Sequence, residues 1–312
     1  MNTLGHIDLT ILFVDVNDFC NVFIPAWLQS LLPDEKSQRM RESTMHPSEV
    51  MTILILFHSS GFRSLKNFYL YYVSSALGKA FPKLVSYNRF VELEKSVLIP
   101  LTAYLNTRRV TSRGIAFVDS TKLQVCHNRR IPNHKTFKEF AARGKTSVDW
   151  FYGFKLHIII DDQGELVYFL LTPGNIDDRK ALRKIVKELK GKLFGDKSYI
   201  SAELKETLWK QGVQLITTVR KNMKEVFLEN FDKILLRKRF LIETVIGQLK
   251  NICQLEHTRH RSLINFMVNV ICALVAYSWK TKKPSLNLRD WKGKDVNLLF
   301  MEENNIFFLP TF

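Results

Sequence analysis

The chain has 312 residues, 46% hydrophobic and 24% charged, which fits a soluble globular protein of one large unit or two ordinary ones with a substantial core. Cys20, Cys126, Cys253 and Cys272 are scattered with no C-x-x-C pair, which argues against a zinc site and a secreted disulfide framework and for a reducing cytoplasm. The formal net charge is +16 and is unevenly placed: residues 1–108 hold ten Lys/Arg against nine Asp/Glu, and residues 109–312 hold 36 against 21. A field concentrated in one region attracts a polyanion, most commonly nucleic acid, with a basic surface kept for solubility as the bland alternative.

No basic start leads into an apolar run, so no signal peptide is expected. The apolar stretches 51–57 and 266–279 are shorter than the roughly 20 residues a membrane span needs, and both read as core helices. Helical spacing runs over Asn17–Leu32 and stops before Pro33. Pro47 suits a first helical turn, with Glu49 at the positive end of the dipole, and this helix reaches about His58 before Gly61. Ser64 caps a helix over Leu65–Leu77, and Ser86 caps another reaching about Leu105. The Pro47–Leu77 stretch has helix-turn-helix spacing, but it is almost neutral and its second helix presents Phe68, Tyr69, Tyr71 and Tyr72. Reading DNA and packing or dimerisation are both open uses for it.

Beyond Arg113 strands and helices alternate. Strands are expected at Gly114–Val125, Phe151–Ile160 and Glu165–Thr172, the last two joined by the Asp161–Gly164 turn. A basic helix follows over Asp178–Leu189, then a strand at Lys192–Gly195, a helix from the Ser201 cap to Gln211, and a strand at Val213–Val219. Helices at Leu235–Leu249 and Ser262–Lys280 close the series. The pattern is a mixed α/β sheet flanked by helices, which divides the chain into an all-α N-terminal domain, 1–108, an α/β domain, 109–283, and an unassigned tail, 284–312.

Three carboxylates stand out. Asp119 lies inside the apolar strand after Ile115, Phe117 and Val118. Asp196 lies just past the end of the Lys192–Gly195 strand, where open α/β sheets place ligands. Glu243 lies on the Leu235–Leu249 helix. At about 100° per residue, Arg239, Glu243 and Lys250 fall on one side, at the edge of an apolar stripe of Ile242, Val245, Ile246 and Leu249. Carboxylates in apolar surroundings are costly unless paired or metal-bound, and two hard cations about 3.5–4 Å apart can activate a water and stabilise a leaving phosphodiester oxygen. A buried, hydrogen-bonded Asp119, a turn-forming Asp196 and a solvated Arg239–Glu243 pair are the plainer alternatives. Lys155 and His157, two apart on a strand, share a face and are candidates for phosphate contact or for a core edge. Lys122, Arg129 and Arg130 belong to a basic segment, 122–145, expected as a long loop suited to the DNA backbone. The His257–Arg261 cluster lacks a zinc pattern.

Asp119 in FVDST, Asp196 in LFGDKSY, and R-x3-E-x6-K at Arg239, Glu243 and Lys250 resemble bacterial insertion-sequence transposases with the Tyr-Arg-Glu-Lys signature. Tyr152–His157 (YGFKLH) and Thr258–Ser262 (TRHRS) resemble further segments of the same family, so that the likeness spans roughly 113–280. The family tyrosine is replaced here by Leu236. The resemblance implies an RNase H-like fold, two Mg²⁺ or Mn²⁺ ions held by Asp119, Asp196 and Glu243, and DNA contacts at Arg239 and Lys250. It also implies that the protein cuts element ends at terminal inverted repeats and joins them to double-stranded target DNA. A dimer or higher assembly on DNA, in a bacterial cytoplasm and associated with the nucleoid, is expected, with no membrane partner. A nuclease without strand transfer and a DNA-binding protein with decayed chemistry are the alternatives.

Overall fold

The computed structural model describes residues 3–4, 7–30, 44–146, 149–186, 188–219, 223, 228–256 and 260–286. The tail from 287 onward and residues 257–259 of the His257–Arg261 cluster lie outside the described residues. A hairpin of β1 (Thr3–Leu4) and β2 (Ile7–Asp8) leads into α1 (Leu9–Ser30). The Asp8 carboxylate accepts the Thr10 and Ile11 N–H groups, which no helical carbonyl can reach. Spacing alone starts this helix at Asn17; it starts at Leu9 because Leu9, Leu12, Val16 and Cys20 make one continuous buried stripe. At this length it is apolar enough to cross a membrane by length and composition alone. It nevertheless carries Asp15 and Asp18, and Asp15 accepts a 2.5 Å hydrogen bond from the Tyr104 hydroxyl.

α2 (Pro47–Ser59) begins in a reciprocal cap: the His46 ring accepts from Ser48 N–H, and the Glu49 carboxylate accepts from His46 N–H at 2.7 Å. The next helical segment is α3 (Leu65–Asn67), a π-helical turn at Phe68–Val73, and α4 (Ser74–Ala76). The wider turn rotates the face that sequence spacing would expose. Phe68 and Tyr69 are therefore buried, and Tyr71 is the aromatic side chain left well exposed. α5 (Tyr87–Leu93) and α6 (Leu98–Arg108), linked by a 3₁₀ turn at Glu94–Val97, complete the helical region.

The sheet comprises β3 (Ile115–Cys126), β4 (Ala142–Lys145), β5 (Trp150–Asp161), β6 (Leu166–Pro173), then α7 (Asp178–Ile185), β7 (Gly191–Gly195), α8 (Ala202–Lys210) and β8 (Val213–Thr217). Its order is β6-β5-β3-β7-β8, with β3, β5 and β6 antiparallel and β7 and β8 running parallel to β3. This is the RNase H-like mixed sheet the resemblance implies. β4 adds to the first residues of β5, so the segment 122–145 is not one long loop. It is the outer half of β3, a 3₁₀ turn at Asn128–Asn133 and β4.

The helix expected at Leu235–Leu249 is broken into α9 (Asn230–Arg237) and α10 (Phe240–Asn251). α9 packs beside β7 and β8, and α10 beside β3, so the two halves serve different strands. α11 (Leu263–Ser278) is buried nearly all round and packs on α2, α6 and α10, which joins the helical region to the sheet through one continuous core. A second, smaller core of Ala116, Val118, Ile159, Leu182, Leu193 and Leu204 fills the opposite face beneath α7 and α8.

Candidate active site

β7 pairs with β3 only over Ile115–Phe117, and then the chain turns away at Asp196. β3 continues to Cys126 with that edge open, so a notch forms where one parallel strand stops beside a longer one. A cavity of 740 Å³ occupies it, and Asp119 and Asp196 both line its wall. Lys122, Lys145, Lys155 and Lys197 line the same cavity, so it presents carboxylates within a ring of ammonium groups.

Side chains alternate along β3, so the notch is furnished from both faces. Phe117 and Leu123, on the Asp119 side, belong to the core beneath α10 and α11, and Arg239 and Glu243 approach Asp119 from there. The Arg239 guanidinium sits 3.6 Å from the Asp119 carboxylate and 2.8 Å from that of Glu243. Burial, first of all, pushes the Asp119 carboxyl up to about 6; Asp196 and Glu243 add to the rise, while the Ser120 N–H and Arg239 oppose it. Asp196 also ends its strand as a turn residue, since one of its oxygens accepts from the Ser198 N–H at 2.8 Å and from the Ser198 hydroxyl. Glu243 does not line the cavity, and its side chain is 56% exposed. Asp119 and Asp196 therefore share a cavity, while Glu243 reaches Asp119 through Arg239.

Among the described residues, no group of three or more His, Cys, Asp or Glu side chains is close enough to hold a metal ion unaided. The donor chemistry nonetheless fits a hard divalent cation. The acids are carboxylates, burial leaves Asp119 poorly solvated, and the buried Tyr199 hydroxyl has no hydrogen-bond partner among the described residues although it feels Asp119, Asp178 and Asp196. Tyr199 lies against the end of β7 because residue 195 is glycine: a Cβ there would stand 3.0 Å from its ring.

The other face of β3 carries Ser120 and Lys122, set opposite His157 and Lys155 of β5. Lys122 and Lys155 are direct cross-strand neighbours, an arrangement that costs free energy unless each finds an acid. Lys122 pairs with Asp149 at 2.8 Å and Lys155 with Asp178 at 3.1 Å. His157 is offered by the sequence as a DNA contact, but the structure corrects that. It is 1% exposed, its Nε2 is 2.9 Å from the Thr172 hydroxyl, and its Nδ1 faces Asp178. Burial lowers its pKa to about 4, against the pull of Asp178. Arg129 and Arg130 are exposed on the 3₁₀ turn after β3, and Lys250 is taken up by Glu256 at 2.8 Å.

Sequence reasoning missed Asp178. It forms the first turn of α7 directly after the capping Asp177, whose side chain accepts the Arg179 N–H. A doubled Asp at a helix start needs only one of the two for the cap, and the spare one was the available signal.

The family described as "Transposase DDE domain" matches residues 109–263. No match was found among curated proteins. Among solved structures, the chain is similar to a piggyBac transposase synaptic complex with hairpin DNA, at 13% identity and TM-score 0.44, covering 96% of this chain and 78% of that one. A Mos1 strand transfer complex is similar at 12% identity and TM-score 0.24, covering 85% and 88%. Both likenesses are too distant to locate a site residue.

Proposed function

We propose that this protein, whose residues 109–263 match the transposase DDE-domain family, is a DNA transposase that cuts a phosphodiester at element ends and transfers the freed 3′ end to target DNA, with its chemistry in the notch beside Asp119. The observation that carries the placement is the shared cavity of Asp119 and Asp196, ringed by lysines, at the point where β7 leaves β3.

Asp119, Asp196 and Glu243 are the residues proposed to hold divalent cations, Mg²⁺ or Mn²⁺, two per site. Bound there, such ions activate a water or hydroxyl and stabilise the leaving oxygen. Glu243 would join that set once Arg239 moves its guanidinium onto a DNA phosphate. An arginine that gives up a carboxylate for a phosphate keeps a charge-assisted partner throughout. Lys122 and Lys155 face the same cavity and supply positive charge to the scissile region. Arg129, Arg130 and Lys250 are further residues proposed to contact the DNA backbone, and double-stranded DNA carrying terminal inverted repeats is the proposed partner. In the first step water adds to phosphorus and the strand leaves as a 3′-hydroxyl. In the second that hydroxyl attacks a target phosphodiester and displaces the target's own 3′ oxygen.

The test is an assay with Mg²⁺ on duplex DNA carrying the sequences that flank the gene. Cleaved and joined products, lost in Asp119→Asn, are the expected result. Nicks without joining would make the protein a nuclease, and binding without either product would make it a DNA-binding protein.

A further inference from the structure

Resting on the proposed function, the geometry points to one residue outside the Asp-Asp-Glu set: we propose that Asp178 is a positioning residue, whose carboxylate holds the Lys155 ammonium and the Ser120 hydroxyl so that Lys155 grips a phosphate oxygen of the DNA strand lying over Asp119. Asp178 lines the same cavity as Asp119 and Asp196, yet its contacts are unlike theirs. One oxygen, Oδ1, takes the Lys155 ammonium at 3.1 Å and the Ser120 hydroxyl at 3.1 Å, and lies 3.7 Å from His157 Nδ1. Lys155 is tied a second time, to the Ile176 carbonyl at 3.1 Å. An ammonium has three N–H groups; two are committed to these partners, and the third remains for an acceptor in the cavity that Lys155 lines. Ser120 follows Asp119 in sequence, and its N–H donates to the Asp119 carboxylate at 2.8 Å, so the same bracket reaches the backbone that presents Asp119.

The bracket stands on rigid elements. Lys155 and His157 lie in the middle of the sheet, Thr172 buttresses His157 from β6, and Asp178 is held by the first turn of α7. A lysine opposite another lysine would otherwise swing toward solvent. The carboxylate between α7 and the sheet holds it at low exposure, 13% of the side chain, facing the site. An ordered cation loses less freedom on meeting a phosphate than a free one does, so the phosphate is held in place when the reacting complex forms.

The test uses the full chain and the flanking-sequence duplex. Single-turnover cleavage at saturating DNA should fall about 10- to 100-fold in both Asp178→Asn and Lys155→Met, while the slope of log affinity against log salt should become shallower by about one in Lys155→Met, which removes a phosphate contact, and stay as in the wild type in Asp178→Asn. The double variant should be no slower than Lys155→Met, because both changes remove one device. Asp178→Glu, which keeps the charge, should recover part of the rate, and Ser120→Ala should cost less than either. Lys155 should resist reductive methylation in the wild type and be labelled in Asp178→Asn, a readout that needs no cleavage. Additive losses, or unchanged labelling of Lys155, would overturn the proposal. So would a higher Mg²⁺ requirement in Asp178→Asn alone, since Asp178 would then be holding the cation. Wild-type protein that cuts no end DNA removes the transposase reading and this proposal with it. Wild-type cleavage with additive variants removes the proposal alone.

Discussion

The helical region before residue 109 and the sheet region after it each bury a carboxylate, under opposite conditions. Glu94, in the 3₁₀ turn between α5 and α6, is 3% exposed, has one oxygen with no hydrogen-bond partner among the described residues, and is pushed up to about 8 by burial. Asp119 is pushed up to about 6 by the same cause, but it has a backbone N–H, a guanidinium and two further carboxylates around it. Burial and a raised pKa are therefore common to both and identify neither as functional. What separates them is the company: Asp119 faces a cavity of mixed charge, and Glu94 lies in a turn packed against α2, α6 and α11.

The sharpest test of that contrast is neutralisation of each acid. Asp119→Asn should lower cleavage by about 10³-fold or more, the scale of losing a group aimed at developing charge, with DNA binding kept or tightened. Glu94→Gln should leave cleavage unchanged; a comparable loss of rate there would break the distinction.

Stability should move the other way. Burial raises the folded pKa of Glu94 above the ordinary glutamate value of 4.5, so folding favours its neutral form. That contribution is complete below about pH 4.5 and is lost as pH rises through about 8. Glu94→Gln cannot ionise, so its unfolding free energy should exceed that of the wild type increasingly from pH 5 to pH 8, by on the order of 3 kcal/mol at pH 7, with the melting temperature rising in step. Parallel melting curves across that range would show that Glu94 is solvated after all.

Arg239→Ala probes the company directly. It should slow cleavage by about 10- to 100-fold and make the slope of log affinity against log salt shallower by about one. Cation holding at Asp119 should weaken as pH falls through about 6, and because Arg239 opposes the rise, its removal should shift that midpoint upward. A titration of Mg²⁺ for half-maximal cleavage at several pH values reads both. The smallest effect is expected of Lys122→Met. Its pair with the exposed Asp149 is screened by solvent and contributes little, so thermal stability should hardly change while the salt slope drops by about one.

Much of the site region was legible in residue order. The β-rich run before Asp119, the short strand ending at Asp196 and the alternation that sets Lys155 and His157 on one face are all local patterns, and the structure has them in those places. The burial of His157 was not legible, because alternation gives the face and not what covers it; α7 and β6 close over it from elsewhere in the chain. Nor was the break at Lys238–Arg239, since apolar spacing continues through it and only the separate packing of α9 and α10 interrupts the helix.

By itself the sequence determined the periodicities, the caps, the separation of charge between the two regions and the identities of the acids, because each of these depends on neighbours within a few residues. Tertiary structure decided that β7 leaves β3 after three pairs, that Asp119 and Asp196 consequently share a cavity, and that Asp178 closes on Lys155 from 23 residues away. Strand pairing and helix docking bring together groups that no local pattern relates, and the chemistry depends on those distances.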